Sequence, residues 1–95
     1  MINIKASFLS LLADVIGKEE VALSFDNTIN VKDILMKLSL MFGKDFEENI
    51  FSAEGELSKY IILGLNGKDI RKFDGLNTII EDGDIISFLP AIAGG

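Results

Sequence analysis

The residues that could do chemistry stand at the carboxyl end, where Ala91-Ile92-Ala93-Gly94-Gly95 follows Pro90. These last residues carry neither charge nor a hydrogen-bonding side chain. Fully extended, they would reach about 15–18 Å beyond a folded body. Glycine has no Cβ, so a partner can close a narrow channel around Gly94 and Gly95 and reach the terminal carboxylate from either side. A carboxylate resists nucleophiles until it is activated, for example as an acyl-adenylate. Such a tail must therefore be delivered into another protein's nucleotide site, and it acts as a substrate rather than a catalyst. The plainer reading is a frayed terminus, the usual condition of chain ends.

Elsewhere the composition removes function classes. The chain has no histidine and no cysteine. The commonest general acid–base group is missing, and with it the usual triads, His-based metal sites, thiol nucleophiles and disulfides. Ser7, Ser10 and Ser58 have no base to activate them. Asp82 and Asp84 flank Gly83, but two carboxylates are few for calcium, and turn chemistry accounts for them. No resident metal and no bound cofactor are expected, and a stand-alone enzyme is not. The net charge of -6, from 15 acidic and 9 basic residues, has the wrong sign for phosphate neutralisation. That argues against nucleic acid and for a basic partner surface. Asp45, Glu47 and Glu48 could meet such a surface, although a solvated loop is the plainer reading of them. The first residues lack a basic signal-peptide start, and Ser10 and Asp14 interrupt the following apolar stretch. Neither export nor a membrane span is expected; a cytoplasmic location fits.

Ninety-five residues make one domain, with 48% apolar and 25% charged residues in the globular range. Ile2 and Ile4 alternate as in a half-buried strand. Phe8, Leu11, Leu12, Val15 and Ile16 recur at helical spacing, with Gly17 placed for a left-handed cap. Val21, Leu23 and Phe25 alternate again, predicting a second strand antiparallel to the first. Asn30 is positioned as an N-cap with Asp33 in the first turn, and Val31, Ile34, Leu35, Leu38 and Phe42 form the apolar face of the main helix up to Gly43. Leu40 and Met41 fall off that stripe and read as additional core contacts. Lys44 to Ser58 reads as an elaborated loop with room for a short helical turn. Tyr60 to Leu65 is a strand, Asn66-Gly67 a hairpin turn, and Ile70 to Phe73 a short edge strand. Gly75 to Thr78 and Asp82 to Asp84 are turns. Ile85 to Leu89 is the last strand, ended by Pro90. Alternation sends Ile86 and Phe88 into the core and turns Leu89 toward partners.

This order predicts an α+β domain with a mixed sheet, one main helix on one face, and the first and last strands parallel at its centre. The domain is expected over residues 1–90, with residues 91–95 as an extended, flexible tail.

The run Asp82-Gly83-Asp84-Ile85-Ile86-Ser87-Phe88-Leu89-Pro90-Ala91-Ile92-Ala93-Gly94-Gly95 resembles the carboxyl-terminal signature of the small subunit of molybdopterin synthase. Leu65-Asn66-Gly67-Lys68-Asp69-Ile70 and Gly75-Leu76-Asn77-Thr78 resemble that family's hairpin and turn. The likeness spans nearly all the chain except Lys44 to Ser58. It departs at Ala91, where the family often has a second proline, and Ile92 to Gly95 is also similar to the thiamine sulfur carrier. The resemblance implies a ubiquitin-like β-grasp fold and a sulfur-carrier cycle. Gly95 would be adenylated by a ubiquitin-activator-like adenylyltransferase using ATP and magnesium, then converted to a thiocarboxylate. With the molybdopterin synthase large subunit, its sulfur would pass to a pterin precursor in molybdenum or tungsten cofactor synthesis. Leu89, Pro90, Ala91, Ile92, Ala93 and Gly94 would meet these partners, and Gly94 would let the tail thread. Alternative destinations are thiamine, tRNA thiolation or conjugation to protein lysines as a ubiquitin-like modifier. A further alternative is a β-grasp interaction module without tail chemistry.

Overall fold

The computed structural model describes residues 1–91. Strands β1 (Ile2–Phe8), β2 (Glu20–Phe25), β4 (Ile61–Leu65), β5 (Lys68–Asp69) and β7 (Ile85–Pro90) form one sheet in the order β2-β1-β7-β4-β5. β1 and β7 run parallel at its centre, as expected, with Ala6 opposite Ile86 and Phe8 opposite Phe88. β2 pairs antiparallel with β1, and β4 antiparallel with β7. A second small sheet, absent from the sequence reading, pairs β3 (Ile29–Asn30) with β6 (Ile79–Ile80). Residue pairs this short carry no periodicity to detect.

Helices α1 (Leu11–Ile16), α2 (Val31–Phe42) and α3 (Lys44–Ile50) complete the fold. Gly17 ends α1 in the left-handed conformation, its N–H donating to the Ala13 carbonyl. α2 starts with a reciprocal capping box. Asn30 Oδ1 accepts from the Asp33 amide, and Asp33 Oδ2 accepts from the Asn30 amide, both at 2.9 Å. Val31, Ile34, Leu35 and Leu38 are buried along its inner face, as the spacing predicts.

The structure corrects the sequence reading in several places. Lys44 to Ile50 is a helix, not a loop, and its Phe46 and Ile50 are completely buried. Phe46 stacks edge-on against Phe8, Phe51 and Phe88 at ring separations of 6.4, 6.0 and 5.8 Å, within the favourable range for aromatic pairs. Leu40 and Met41 are not core: Leu40 is 86% exposed, and Met41 is also solvent-facing. Both lie off the stripe that α2 buries, and α3 does not cover them. Phe8 belongs to β1 rather than to α1, and Leu11 and Val15 are exposed, so only Leu12 and Ile16 anchor that helix. Ile70 to Phe73 does not return as a strand. The pairing ends at Lys68–Asp69, after which Ile70–Lys72 closes a 3-10 turn; Gly75–Asn77 forms another. The final strand extends to Pro90, which lies opposite Ile61.

Candidate functional site: the root of the tail

The final strand is fixed from both sides. β7 is interior in the sheet, between β1 and β4. Its Ile86 and Phe88 are fully buried, as alternation predicts. Ile85 is exposed, and Ser87 and Leu89 are half-buried on the opposite face. Cross-strand pairing sets Ile62 of β4 beside Leu89, and Gly64 beside Ser87. Ser7 of β1 completes that row. Leu89 and Ile62 therefore border a flat strip of small residues on the side of the sheet away from the helices. The sequence reading placed Leu89 on this outer side, and the structure agrees.

Pro90 offers no donor, yet pairing does not stop there. The Ala91 amide donates to the Tyr60 carbonyl at 2.7 Å. The Tyr60 amide in turn donates to Ser58 Oγ at 3.1 Å. Of the expected partner-binding residues, Leu89, Pro90 and Ala91 thus stand together at one end of β7. Ile92, Ala93, Gly94 and Gly95 lie outside the described residues.

The opposite end of β7 is clamped by turn residues. Asn66 (φ 51°) and Gly67 (φ 87°) both adopt positive φ, as the hairpin turn demands. The Asn66 amide donates to the Ile85 carbonyl, its Oδ1 accepts from the Ile85 amide, and its Nδ2 donates to Asp84 Oδ1, each at 2.9 Å. Asp84 Oδ2 accepts from the Glu81 amide at 2.8 Å, and Asp82 Oδ1 from the Asn3 amide at 2.7 Å. These carboxylates close the turn on Glu81 and tie it to Asn3 of β1 and to Asn66. Among the described residues no group of three or more His, Cys, Asp or Glu side chains converges as metal ligands would.

Beside the root, an open groove of about 360 Å³ is lined by Lys59, Ile62, Ile70, Arg71 and Ala91. Arg71 grips Asp69 through Nε and Nη2, the latter at 2.6 Å. The Arg71 guanidinium hydrogen-bonds the Asp69 carboxyl and holds it down from its ordinary 3.8 to about 2, aided by the Arg71 backbone amide. Sequence reading missed this pair because 3-10 turns leave no periodic signal. Asp45 and Glu47 fall in the first turn of α3, and Glu48 lies on its exposed side. No helix among the described residues is long and apolar enough to cross a membrane.

A mixed sheet grasping a central helix, with a parallel pair at its centre and a carboxyl terminus leaving from the interior strand, defines a ubiquitin-like β-grasp protein. The ThiS family matches residues 8–95, and the chain belongs to that family. It is 39% identical over 67 residues to a candidate sulfur carrier protein of Archaeoglobus fulgidus, covering 70% of this chain and 75% of the relative. It is 30% identical to ubiquitin-related modifier 1 of Saccharomyces cerevisiae over the whole of both chains. The solution structure of small archaeal modifier protein 1 from Methanosarcina acetivorans superposes with a TM-score of 0.84 at 30% identity, covering 100% of this chain and 98% of that one. The chain is therefore a small ubiquitin-like protein of the sulfur-carrier and modifier group.

Proposed function

We propose that this chain carries activated sulfur on the carboxylate of Gly95 and delivers it to a pterin precursor, as the sulfur-donating subunit of a molybdopterin synthase. One observation carries the reading. The strand that leads to the tail is interior, paired with β1 through Phe88 and with β4 through Pro90, with Ala91 bonded to Tyr60. A partner thus meets a fixed exit point rather than a loose end, which lowers the ordering cost of capture, on the order of 1–2 kcal/mol per backbone residue. Membership of the ThiS family supports carrier chemistry, and the Asp82 to Gly95 signature supports the pterin destination.

In this reading a ubiquitin-activator-like adenylyltransferase binds the tail with ATP and magnesium. A carboxylate oxygen of Gly95 attacks the α-phosphorus and pyrophosphate leaves, giving an acyl-adenylate. Hydrosulfide-level sulfur then attacks the acyl carbon, AMP departs with its bridging oxygen, and a proton is released. The product is a thiocarboxylate. Leu89, Pro90 and Ala91 would dock against the partner, while Ile92, Ala93 and Gly94 thread its channel. The chain supplies the carbonyl carbon and the body that is recognised; the catalytic groups belong to the partner. In the synthase, the sulfur would bond to the pterin precursor held by the large subunit. Water would then attack the acyl carbon, breaking its bond to sulfur and returning the carboxylate of Gly95.

The likeness to ubiquitin-related modifier 1 and to small archaeal modifier protein 1 favours a second destination for the same activated glycine. There, a lysine amine of a target protein attacks the acyl carbon and forms an isopeptide bond, or the sulfur passes to tRNA. The deciding experiment incubates the chain with its adenylating partner, ATP and a sulfide donor, and records intact mass. A gain equal to exchange of one oxygen for sulfur, mapped to Gly95, supports the carrier reading. Its loss on adding large synthase subunit and pterin precursor, with dithiolene formed, supports the pterin destination. Adducts on lysines or thiolated tRNA instead would move it to the second. An unchanged mass with an active enzyme would sink both.

A further inference from the structure

On the helix side of the fold, away from the strip around Leu89, lie two adjoining grooves, one of them with an apolar floor. One groove of about 610 Å³ runs between α2 and the segment after α3, over Leu35, Met36, Phe51, Leu57 and Leu76. A second of about 580 Å³ shares Phe51 and Gly55 with it and continues along Glu47 and Glu48. Met36 on the groove wall is 59% exposed, and Leu40 one turn further is 86% exposed. Residues four apart share a helix face, so the two form an uncovered apolar ridge beside the groove. Neither is required by the core, which α2 fills with Val31, Ile34, Leu35 and Leu38.

The rim has a definite sign. Glu47, Glu48 and Glu56 line the joined grooves against the single cation Lys32. A rim of this charge around an apolar floor selects an occupant by two features together. Apolar side chains must cover Met36 and reach Leu57 and Leu76, and flanking Lys or Arg residues must face the glutamates. A purely basic segment would leave the floor wet, and an acidic one would be repelled.

We propose that this groove is a docking site for a basic amphipathic helix of a partner protein, separate from the face through which the tail is presented. Its apolar side seats between α2 and the 51–57 segment, and its cations meet Glu47, Glu48 and Glu56. The site uses no residue of the tail, so it stands whether or not Gly95 carries sulfur. It lets one partner hold the body while another handles the terminus.

The test titrates the isotope-labelled full chain with a synthetic helical peptide of leucine on one face and lysine on the other, followed by amide chemical shifts. Two control peptides replace leucine by serine, or lysine by glutamate. Saturable shifts centred on Met36, Leu40, Phe51, Gly55 and Leu57 are expected, with affinity at least about tenfold above either control. Met36→Glu and the double change Glu48→Lys, Glu56→Lys alter exposed side chains and should each weaken binding about tenfold, with the remaining spectrum unchanged. Deletion of Gly95 should leave the titration unaltered. Equal binding of the serine control would overturn the proposal by reducing it to charge attraction. So would shifts centred on Ile62 and Leu89, full binding by Met36→Glu, or concentration-dependent shifts at Met36 without peptide, which would make a second copy the occupant.

Discussion

The Ala91 amide donates to the Tyr60 carbonyl at 2.7 Å, so the sheet holds the chain one residue beyond Pro90. Pro90 itself sits opposite Ile61 in the non-hydrogen-bonded position next to the Ala91–Tyr60 pair, so its missing N–H breaks no bond to β4. The exit of the tail is thereby set by β4, although proline alone would suggest that pairing has ended. The Ala91 amide is expected to exchange with solvent more slowly than an unstructured amide, as measured by hydrogen exchange. Ala91→Pro removes the donor and should cost about 0.5–1.5 kcal/mol in denaturant unfolding. Exchange at the unstructured rate would show that the bond does not persist.

Phe46 and Leu40 are hydrophobic residues six positions apart in sequence with opposite fates, one fully buried and the other 86% exposed. Phe46→Ala opens a cavity among Phe8, Phe51 and Phe88 and should destabilise by about 3–5 kcal/mol. Leu40→Ala should stay within about 0.5 kcal/mol. Urea unfolding of both variants checks the contrast, and a large loss at Leu40 would mean that α2 packs on a different face.

That contrast also shows what the sequence could carry. Long periodic segments were legible: alternation in β1, β2 and β7, the α2 stripe, and the Asn30–Asp33 cap all form as their spacing predicts. The turn at Asn66-Gly67 was legible because positive φ restricts which residues can stand there. Helix α3 was not. Its seven residues bury only Phe46 and Ile50, too few contacts to reveal a period, and most of the segment is polar. Leu40 and Met41 misled because hydrophobicity alone does not say which face a neighbouring helix will cover. Of the tail site, the placement of Leu89 on the outer face followed from β7 alternation. The Ala91–Tyr60 bond and the Asp69–Arg71 pair depend on strand register and 3-10 turns, which no local pattern encodes.

Asn66 does two things at once: it accepts left-handed backbone geometry and bonds both the amide of Ile85 and the carboxylate of Asp84. Asn66→Gly keeps the conformation and loses the side-chain bonds, whereas Asn66→Ala loses both. The alanine variant should be destabilised by about 1–3 kcal/mol, and the glycine variant by less. Thermal unfolding of the two separates backbone strain from hydrogen bonding. Equal losses would assign the whole effect to the bonds.

The Asp69–Arg71 pair predicts a small pH response at the groove beside Ala91. Arg71 is 80% exposed and the Asp69 side chain 23%, so water screens the pair and its energetic weight is modest. The Asp69 carboxyl is lowered from 3.8 to about 2 in the folded chain. A depressed folded value means that the folded state binds fewer protons, so the contribution is complete above 3.8 and fades as pH falls toward about 2. An NMR titration of the Asp69 carboxyl should give the low midpoint, and Arg71→Gln should return it toward 3.8. A midpoint unmoved by Arg71→Gln would remove Arg71 as the cause.

The last prediction separates tail chemistry from recognition of the body. β7 is paired with β1 up to Phe88 and with β4 up to Pro90 without help from Gly95, so deleting Gly95 should leave the melting temperature unchanged. The same deletion should abolish mass gain with the adenylating partner, because the reacting carboxylate would no longer sit at the length its channel expects. Leu89→Arg acts differently. It places a charge on the outer strip beside Ile62, where β7 is half-buried, and leaves the terminus intact. It should raise KM for adenylation about tenfold or more while changing kcat less, since it removes binding shared by ground and transition states. If Leu89→Arg instead leaves KM unchanged, the partner reads the tail without the sheet. If deletion of Gly95 leaves every partner interaction and every activity intact, the chain is an interaction module and its terminus carries no chemistry.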